Sequence, residues 1–271
     1  MRLAVNFSRW REMGNFYFDE TIQERGGFII GAFVYSPYDV TPAVYSAIQQ
    51  VGMRPGVDEF KSGARMDRNL KQAELRDRLM NLLSSTRVGL VVVPTTQRSF
   101  LGHHALLGLR KILSANDLAH KPHSVFLDQG ITVKRNSGRD LLGEPGDMCE
   151  VHQSQDSKLI GGIQLADLAA HLLGGMLLEE LGLITKLVCV GENSGYAPDL
   201  EIELGFALWA SLRYQFFKAP QPNLGADPDD PVGDLTFDVE NYGLYISEDC
   251  PEKLKQAALQ RFGTCYLGCI H

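Results

Sequence analysis

Phe16-Tyr17-Phe18-Asp19-Glu20 is a short aromatic run that closes on two carboxylates. Aromatic residues packed this densely read as a buried strand, here Asn15 to Glu20. An acid at the end of a buried strand is costly unless something compensates its charge. Three later acids stand at comparable apolar boundaries. Glu59 lies in Asp58-Glu59-Phe60-Lys61, Asp128 ends Ser124-Val125-Phe126-Leu127-Asp128, and Asp167 interrupts the apolar stretch Leu159 to Leu178. Side chains at the ends of neighbouring central strands lie close together, and open α/β sheets bind ligands at such ends. Close carboxylates repel unless a cation joins them. Hard oxygen donors select Mg2+, Mn2+ or Ca2+ over zinc. The four acids are therefore expected to converge on one site for a divalent cation. Taken singly, each also has a plainer reading as a cap on a helix or turn.

On a helix, Gln164, Asp167 and His171 fall at i, i+3 and i+7, one polar stripe on an apolar cylinder. Asp156 extends that stripe only if the helix reaches back through Gly161-Gly162. A buried Asp on a core helix needs a partner, which is a backbone amide, an Arg, or a metal shared with Asp19. Glu20, Asp156, Gln164 and His171 are the candidates for supporting positions around the four acids. Glu59 and Lys61 are two apart, so in an extended segment they face one side. Lys61 can there hold a substrate phosphate as a point charge. His103 and His104 are adjacent on a predicted helix and point about 100° apart, so they read as surface or groove residues rather than joint ligands. The chain has no nucleophile elbow, P-loop or Rossmann glycine fingerprint. Gly161-Gly162 and Gly174-Gly175 read as sites of close packing.

Working outward, Gly27 to Ser36 is a second strand, and Pro42 to Val51 a helix with Thr41 as its N-cap. Asn69 to Leu83 is an amphipathic helix, and Val88 to Val93 a buried strand. His103 to Ala115 is a helix, Ser124 to Asp128 a strand, and Cys149 to His152 a short strand. Leu159 to Leu178 carries one formal charge, Asp167; a charge mid-span is costly in a bilayer, so a core helix is favoured over a membrane span. This order predicts an α/β protein, a mixed sheet with helices on its faces, over residues 1–178. Residues 179–271 are expected to be a mainly helical accessory segment of the same unit, with helices at Leu200 to Phe217 and Glu252 to Arg261. Between these helices lies an acidic Pro/Gly/Asp loop, Pro220 to Gly233.

The 271 residues are 44% hydrophobic and 22% charged, ordinary for a folded domain. Five scattered cysteines fit a reduced, cytoplasmic protein, and the start of the chain lacks the apolar run of a secretory signal. Cys265, Cys269 and His271 match no zinc spacing and read as free thiols and a terminal His. The net charge of −7 does not advertise a nucleic-acid binder, but it is uneven. Residues 1–191 carry 21 basic and 20 acidic side chains, against 2 and 13 in residues 192–252. Arg54, Lys61, Arg65, Arg68, Lys71, Arg76 and Arg78 form a basic cluster. Asp67, Glu74 and Asp77 are interleaved with it at salt-bridge spacing, so a solvated helix face is the simpler account.

Four motifs together resemble the bacterial and archaeal family catalogued as domain of unknown function 3800. They are Tyr17-Phe18-Asp19-Glu20-Thr21, Glu59-Phe60-Lys61-Ser62, Phe126-Leu127-Asp128, and Ser157-Lys158 with Gln164-Leu165-Ala166-Asp167-Leu168. The match spans about residues 15–175. Thr21 stands where the family has Ser, no Gly follows it, and the C-terminal third has no counterpart in these motifs. The resemblance implies a ribonuclease H-like fold and a carboxylate site for two Mg2+ or Mn2+ ions. Asp19 would bridge both ions and Glu59, Asp128 and Asp167 would complete them. It also implies a metal-dependent nuclease or phosphoesterase with nucleic acid as partner. The rival expectations are hydrolysis of a small phosphoester and a non-catalytic binding or defence-system protein that keeps the fold.

Overall fold

The computed structural model describes residues 14–133, 141–191, 196–223 and 235–268. Strands β1 (Gly14–Gln23), β2 (Phe28–Ser36) and β3 (Arg87–Pro94) form an antiparallel meander. β4 (His123–Asp128) pairs parallel to β1, and β5 (Cys149–Gln155) parallel to β4. A further strand from the C-terminal third, Leu244–Ile246, pairs parallel to β3 and closes that edge. The result is a mixed six-stranded sheet flanked by helices, an α/β architecture.

One face of the sheet carries α1 (Thr41–Gln50), α2 (Leu70–Leu83) and α4 (Gly161–Glu180). The other carries α3 (Leu101–Ala115). Strand alternation divides the aromatic run between two cores. Tyr17 packs on the α4 side with Ile30, Ala32 and Val92, whereas Phe16 and Phe18 pack on the α3 side with Val91, Val125 and Leu127. α4 is long and apolar enough to cross a membrane by length and composition, yet 83% of that stretch is buried against the sheet and neighbouring helices. It is the core helix expected of Leu159 to Leu178, and Asp167 lies within it.

The structure departs from the expected elements in several places. β1 does not stop at Glu20 but runs to Gln23, leaving Asp19 mid-strand. Thr41 is the first residue of α1 rather than its N-cap, and Asp39 Oδ1 accepts the Thr41 N–H at 2.9 Å instead. The expected helix Leu200 to Phe217 shortens to α5 (Leu204–Leu212), because Glu201–Glu203 pairs with Leu187–Cys189 as a two-stranded ribbon, β6 with β7. The C-terminal third is thus mixed rather than mainly helical. Besides α5 and α6 (Glu252–Phe262) it holds β8 (Thr236–Asp238), β9 (the Leu244–Ile246 edge strand) and β10 (Thr264–Tyr266). Because α4 continues to Glu180 and β9 joins the main sheet, the two parts share one core across the boundary at 178. Most of the acidic loop Pro220 to Gly233, and Cys269 and His271, lie outside the described residues.

α4 approaches β1 closely because of its glycines. A Cβ at Gly162 would stand 2.4 Å from the Tyr17 ring, and one at Gly174 would stand 2.8 Å from Thr21. Tyr17 cannot give way easily. It is fully buried, and its hydroxyl is held between Asp39 at 3.1 Å and the Val40 N–H at 3.4 Å. Gly162→Ala is expected to destabilise the fold by about 1–3 kcal/mol through overpacking. A urea unfolding midpoint unchanged from wild type would show that α4 can move off β1 at no cost.

Candidate functional site

β4 ends at Asp128 while β1 continues to Gln23, so beyond this point β1 pairs with β2 on one side and has an opening on its β4 side. Asp19 lies at this step, one residue beyond the last β1–β4 pair, Phe18 with Leu127. Asp167, on α4, is near enough for its charge to act on Asp19.

Glu59 arrives by a different device. Residues 59–62 form a strap tied to α2 and α4 through side-chain to backbone hydrogen bonds. The Phe60 N–H donates to Gln164 Oε1 at 2.7 Å, and the Lys61 N–H to Gln72 Oε1 at 3.0 Å. Gln72 Nε2 donates to the Glu59 carbonyl at 2.7 Å, and Gln164 Nε2 to the Ser157 carbonyl at 2.8 Å. The Ser62 N–H and hydroxyl both donate to Asp167, at 3.0 and 2.5 Å. The buried Phe60 ring anchors the strap in the core. Gln164 and Asp167, one helical turn apart, therefore grip backbone amides two residues apart on the strap.

The carboxylates act on one another. Burial first, then Asp128, Asp167 and Glu20, push the Asp19 carboxyl up to about 9. Asp128 is raised by burial, with Asp167 and Glu59 adding to it against the pull of Lys61 and the Gln129 amide. Glu20 is raised by burial and by Asp128, and its Oε2 is buried with no hydrogen-bond partner. Asp19, Glu20, Glu59, Asp128 and Asp167 thus share one electrostatic neighbourhood. Two lysines rim it. Lys61 Nζ stands 3.3 Å from Glu59 Oε2 and Lys158 Nζ stands 3.9 Å from Glu59 Oε1, and the Ser157 hydroxyl donates to the same Glu59 Oε2. The Lys61 head is mostly exposed, 63% against 16% for Glu59, so it faces solvent over the acids. Burial works against its charge, but Glu59, Asp167 and Asp128 outweigh that and hold its pKa above the usual value.

The supporting candidates divide. Glu20 and Gln164 belong to this neighbourhood. His171 lies one turn beyond Asp167 on α4, where burial lowers its pKa and the Asp167 charge is near enough to pull it up against burial and Arg76. Asp156 is exposed and shapes the turn into α4, accepting the Lys158 N–H at 2.9 Å. Ser62, Gln72, Ser157 and Lys158 complete the site and were not singled out from the sequence as site residues. Ser157 and Lys158 had a signal in the motif around them, but Gln72 on a polar helix face had none. Much of the basic cluster is paired locally: Arg54 with Asp58 at 3.3 Å, Arg65 with Asp67 at 3.4 Å, Arg78 with Glu74 at 2.8 Å. That matches the solvated-face account, and such exposed pairs contribute little. A cleft of about 750 Å³ lies elsewhere, between α3 and β9. His104 lines it and meets the Tyr245 hydroxyl at 3.1 Å, while His103 lines a neighbouring groove.

No family model and no curated protein matches the chain. Among the described residues, no three His, Cys, Asp or Glu side chains stand as a ready cage for a metal ion. The donor chemistry nevertheless fits a hard divalent cation. Every side chain in the coupled set is a carboxylate, burial and mutual repulsion raise Asp19, Glu20 and Asp128, and one buried oxygen, Glu20 Oε2, lacks a partner.

The raised Asp19 pKa fixes the sign of one pH effect. Asp19 is neutral in both states below about pH 4, and its contribution to stability is fully present there. As pH rises toward about 9, the unfolded chain gives up the proton while the folded chain keeps it, so that contribution is lost. In metal-free buffer, wild type should therefore lose stability relative to Asp19→Asn between about pH 5 and about pH 8. Urea melts of the two proteins that run parallel across that range would place Asp19 in a solvated, uncoupled setting.

Proposed function

We propose that the chain is a metal-dependent hydrolase of phosphodiester bonds, a nuclease built on a ribonuclease H-like fold. The observation that carries the reading is the half-buried Asp19 carboxyl, raised to about 9 by burial and its acid neighbours, at the step where β4 ends beside β1. A mixed sheet with parallel β4 and β5 beside an antiparallel meander, and acids on β1, β4 and the following helix, supports the fold assignment. Asp19, Glu59, Asp128 and Asp167 would hold Mg2+ or Mn2+, with Glu20 as a further carboxylate beside them. When bound, the metal supplies an activated water and neutralises charge on the leaving oxygen.

The chain's own residues have separate tasks. Asp19 would have to give up its proton to hold a metal, because a neutral acid cannot ligate a cation well. Ser62 fixes the Asp167 carboxylate by donating to both of its oxygens. Gln164 and Gln72 keep Glu59 at fixed height by holding the strap backbone rather than the carboxylate. Lys61 and Lys158 flank Glu59 and face an incoming phosphate as point charges. A bound cation would satisfy Glu59 and free both ammonium groups for the substrate.

Millimolar Mn2+ is expected to raise the melting temperature of wild type by mass action and to support cleavage of a labelled oligonucleotide. Asp19→Asn should melt higher than wild type without metal, lose the Mn2+ response, and lose cleavage by orders of magnitude. A variant that keeps the full metal response would remove Asp19 from the site.

Lys61→Ala should weaken oligonucleotide binding measured in Ca2+ and lower the slope of log affinity against log salt by about one. Salt-independent binding in wild type would instead point to a small phosphoester or to no substrate.

A further inference from the structure

Three rings at matched registers form a ladder across the sheet on the carboxylate face. Tyr17 of β1 pairs with Phe126 of β4, and Phe126 with His152 of β5. The Tyr17 and Phe126 rings lie 5.4 Å apart at 14°, and the Phe126 and His152 rings 4.9 Å apart at 13°. Near-parallel stacking of three consecutive cross-strand rings is more regular than the edge-on contacts around Phe16, which meets Phe33 at 85° and His123 at 78°. The ladder starts at a fully buried ring and ends on β5, an outer strand of the sheet, where the His152 side chain is 32% exposed.

The ladder also runs beside the acids. Tyr17 and Phe126 are two residues before Asp19 and Asp128 on the same strands, so they share that face one pleat below. A fourth ring added outside His152 would lie roughly 12 Å from Asp128, taking two strand spacings and two residue rises. That is a reach of about two nucleotides along an extended strand. The edge of the His152 ring is not open to a phosphate, because Glu150 Oε1 stands 3.7 Å from Nε2. A neutral, flat group can stack there where an anion is repelled.

We infer that His152 is the stacking platform for a base of a single-stranded nucleic acid whose backbone crosses the carboxylate site. This rests on the nuclease reading for the position of the backbone, and it adds the substrate's form: a single strand, whose bases are free to splay. Every base has a π-face, so such a platform holds the strand with little sequence preference.

The test is binding in Ca2+ of three probes of equal length: a DNA oligonucleotide, an RNA oligonucleotide, and a DNA oligomer with abasic sites throughout. Wild type should bind the two base-bearing strands more tightly than the abasic one. His152→Ala should weaken both base-bearing strands about tenfold and leave the abasic oligomer unchanged, whereas His152→Phe should keep or tighten wild-type binding. Whichever of DNA and RNA binds more tightly names the natural strand. Equal losses on all three probes, no loss on any, or a Phe variant as weak as the Ala variant would reduce the ladder to sheet packing. Mn2+-dependent cleavage of the same oligonucleotides is scored separately. Cleavage with no base dependence overturns the platform alone, while base-dependent binding without cleavage keeps the platform and removes the hydrolase.

Discussion

Uncompensated charge on β1 is the constraint around which the rest of this molecule is arranged. Asp19 sits between an aromatic run buried on both faces and an opening that only the early end of β4 provides. Had β4 continued as far as β1, the carboxyl would be sealed in an apolar sheet at prohibitive cost. Because β4 stops, Asp19 keeps one open side, and the acids of β4, α4 and the strap can gather around it. Burial first, and then the neighbouring acids, outweigh the ordinary preference for ionisation and push the Asp19 carboxyl up to about 9.

Two kinds of packing support that arrangement. The glycines of α4 let the helix lie against β1 without a side chain between them, which carries Asp167 to the level of Asp19. The strap solves the harder problem of placing Glu59, which is on no regular element. Its position is set by buried amide groups of Gln72 and Gln164 that bond to main chain, which leaves the carboxylate to Lys61, Lys158 and the Ser157 hydroxyl. Leaving either glutamine's partners bare in the core would be costly, which ties the position of Glu59 to the stability of the fold.

What could be read from the sequence follows from this division. Tyr17 to Glu20, Ser124 to Asp128 and Leu159 to Leu178 announced themselves by apolar runs interrupted by acids, a local signal. They yielded strands β1 and β4, the core helix, and three acids, Asp19, Asp128 and Asp167, that influence one another's protonation. Gln72 was illegible because its role depends on a strap thirteen residues earlier, and no pattern within α2 marks it. The early end of β4 relative to β1 is a matter of register between strands more than a hundred residues apart, so Asp19 read as a strand end when it is mid-strand. The ribbon Leu187–Cys189 with Glu201–Glu203 and the edge strand Leu244–Ile246 were missed because three residues are too few to show a period.

That edge strand has a bearing on how the protein can be divided. β3 is a run of buried β-branched residues, and on its far side from β2 it is covered by short pieces of the C-terminal third, β9 beside Leu90 to Val92 and Gln215 to Phe217 beside Val88. Cutting the chain at residue 178 would keep every acid of the site. It would also bare a flat, apolar, hydrogen-bond-hungry edge, which is the template that unrelated chains add to when proteins aggregate. The last third of the chain, silent in the motifs, therefore serves as a cuff that keeps the sheet from growing.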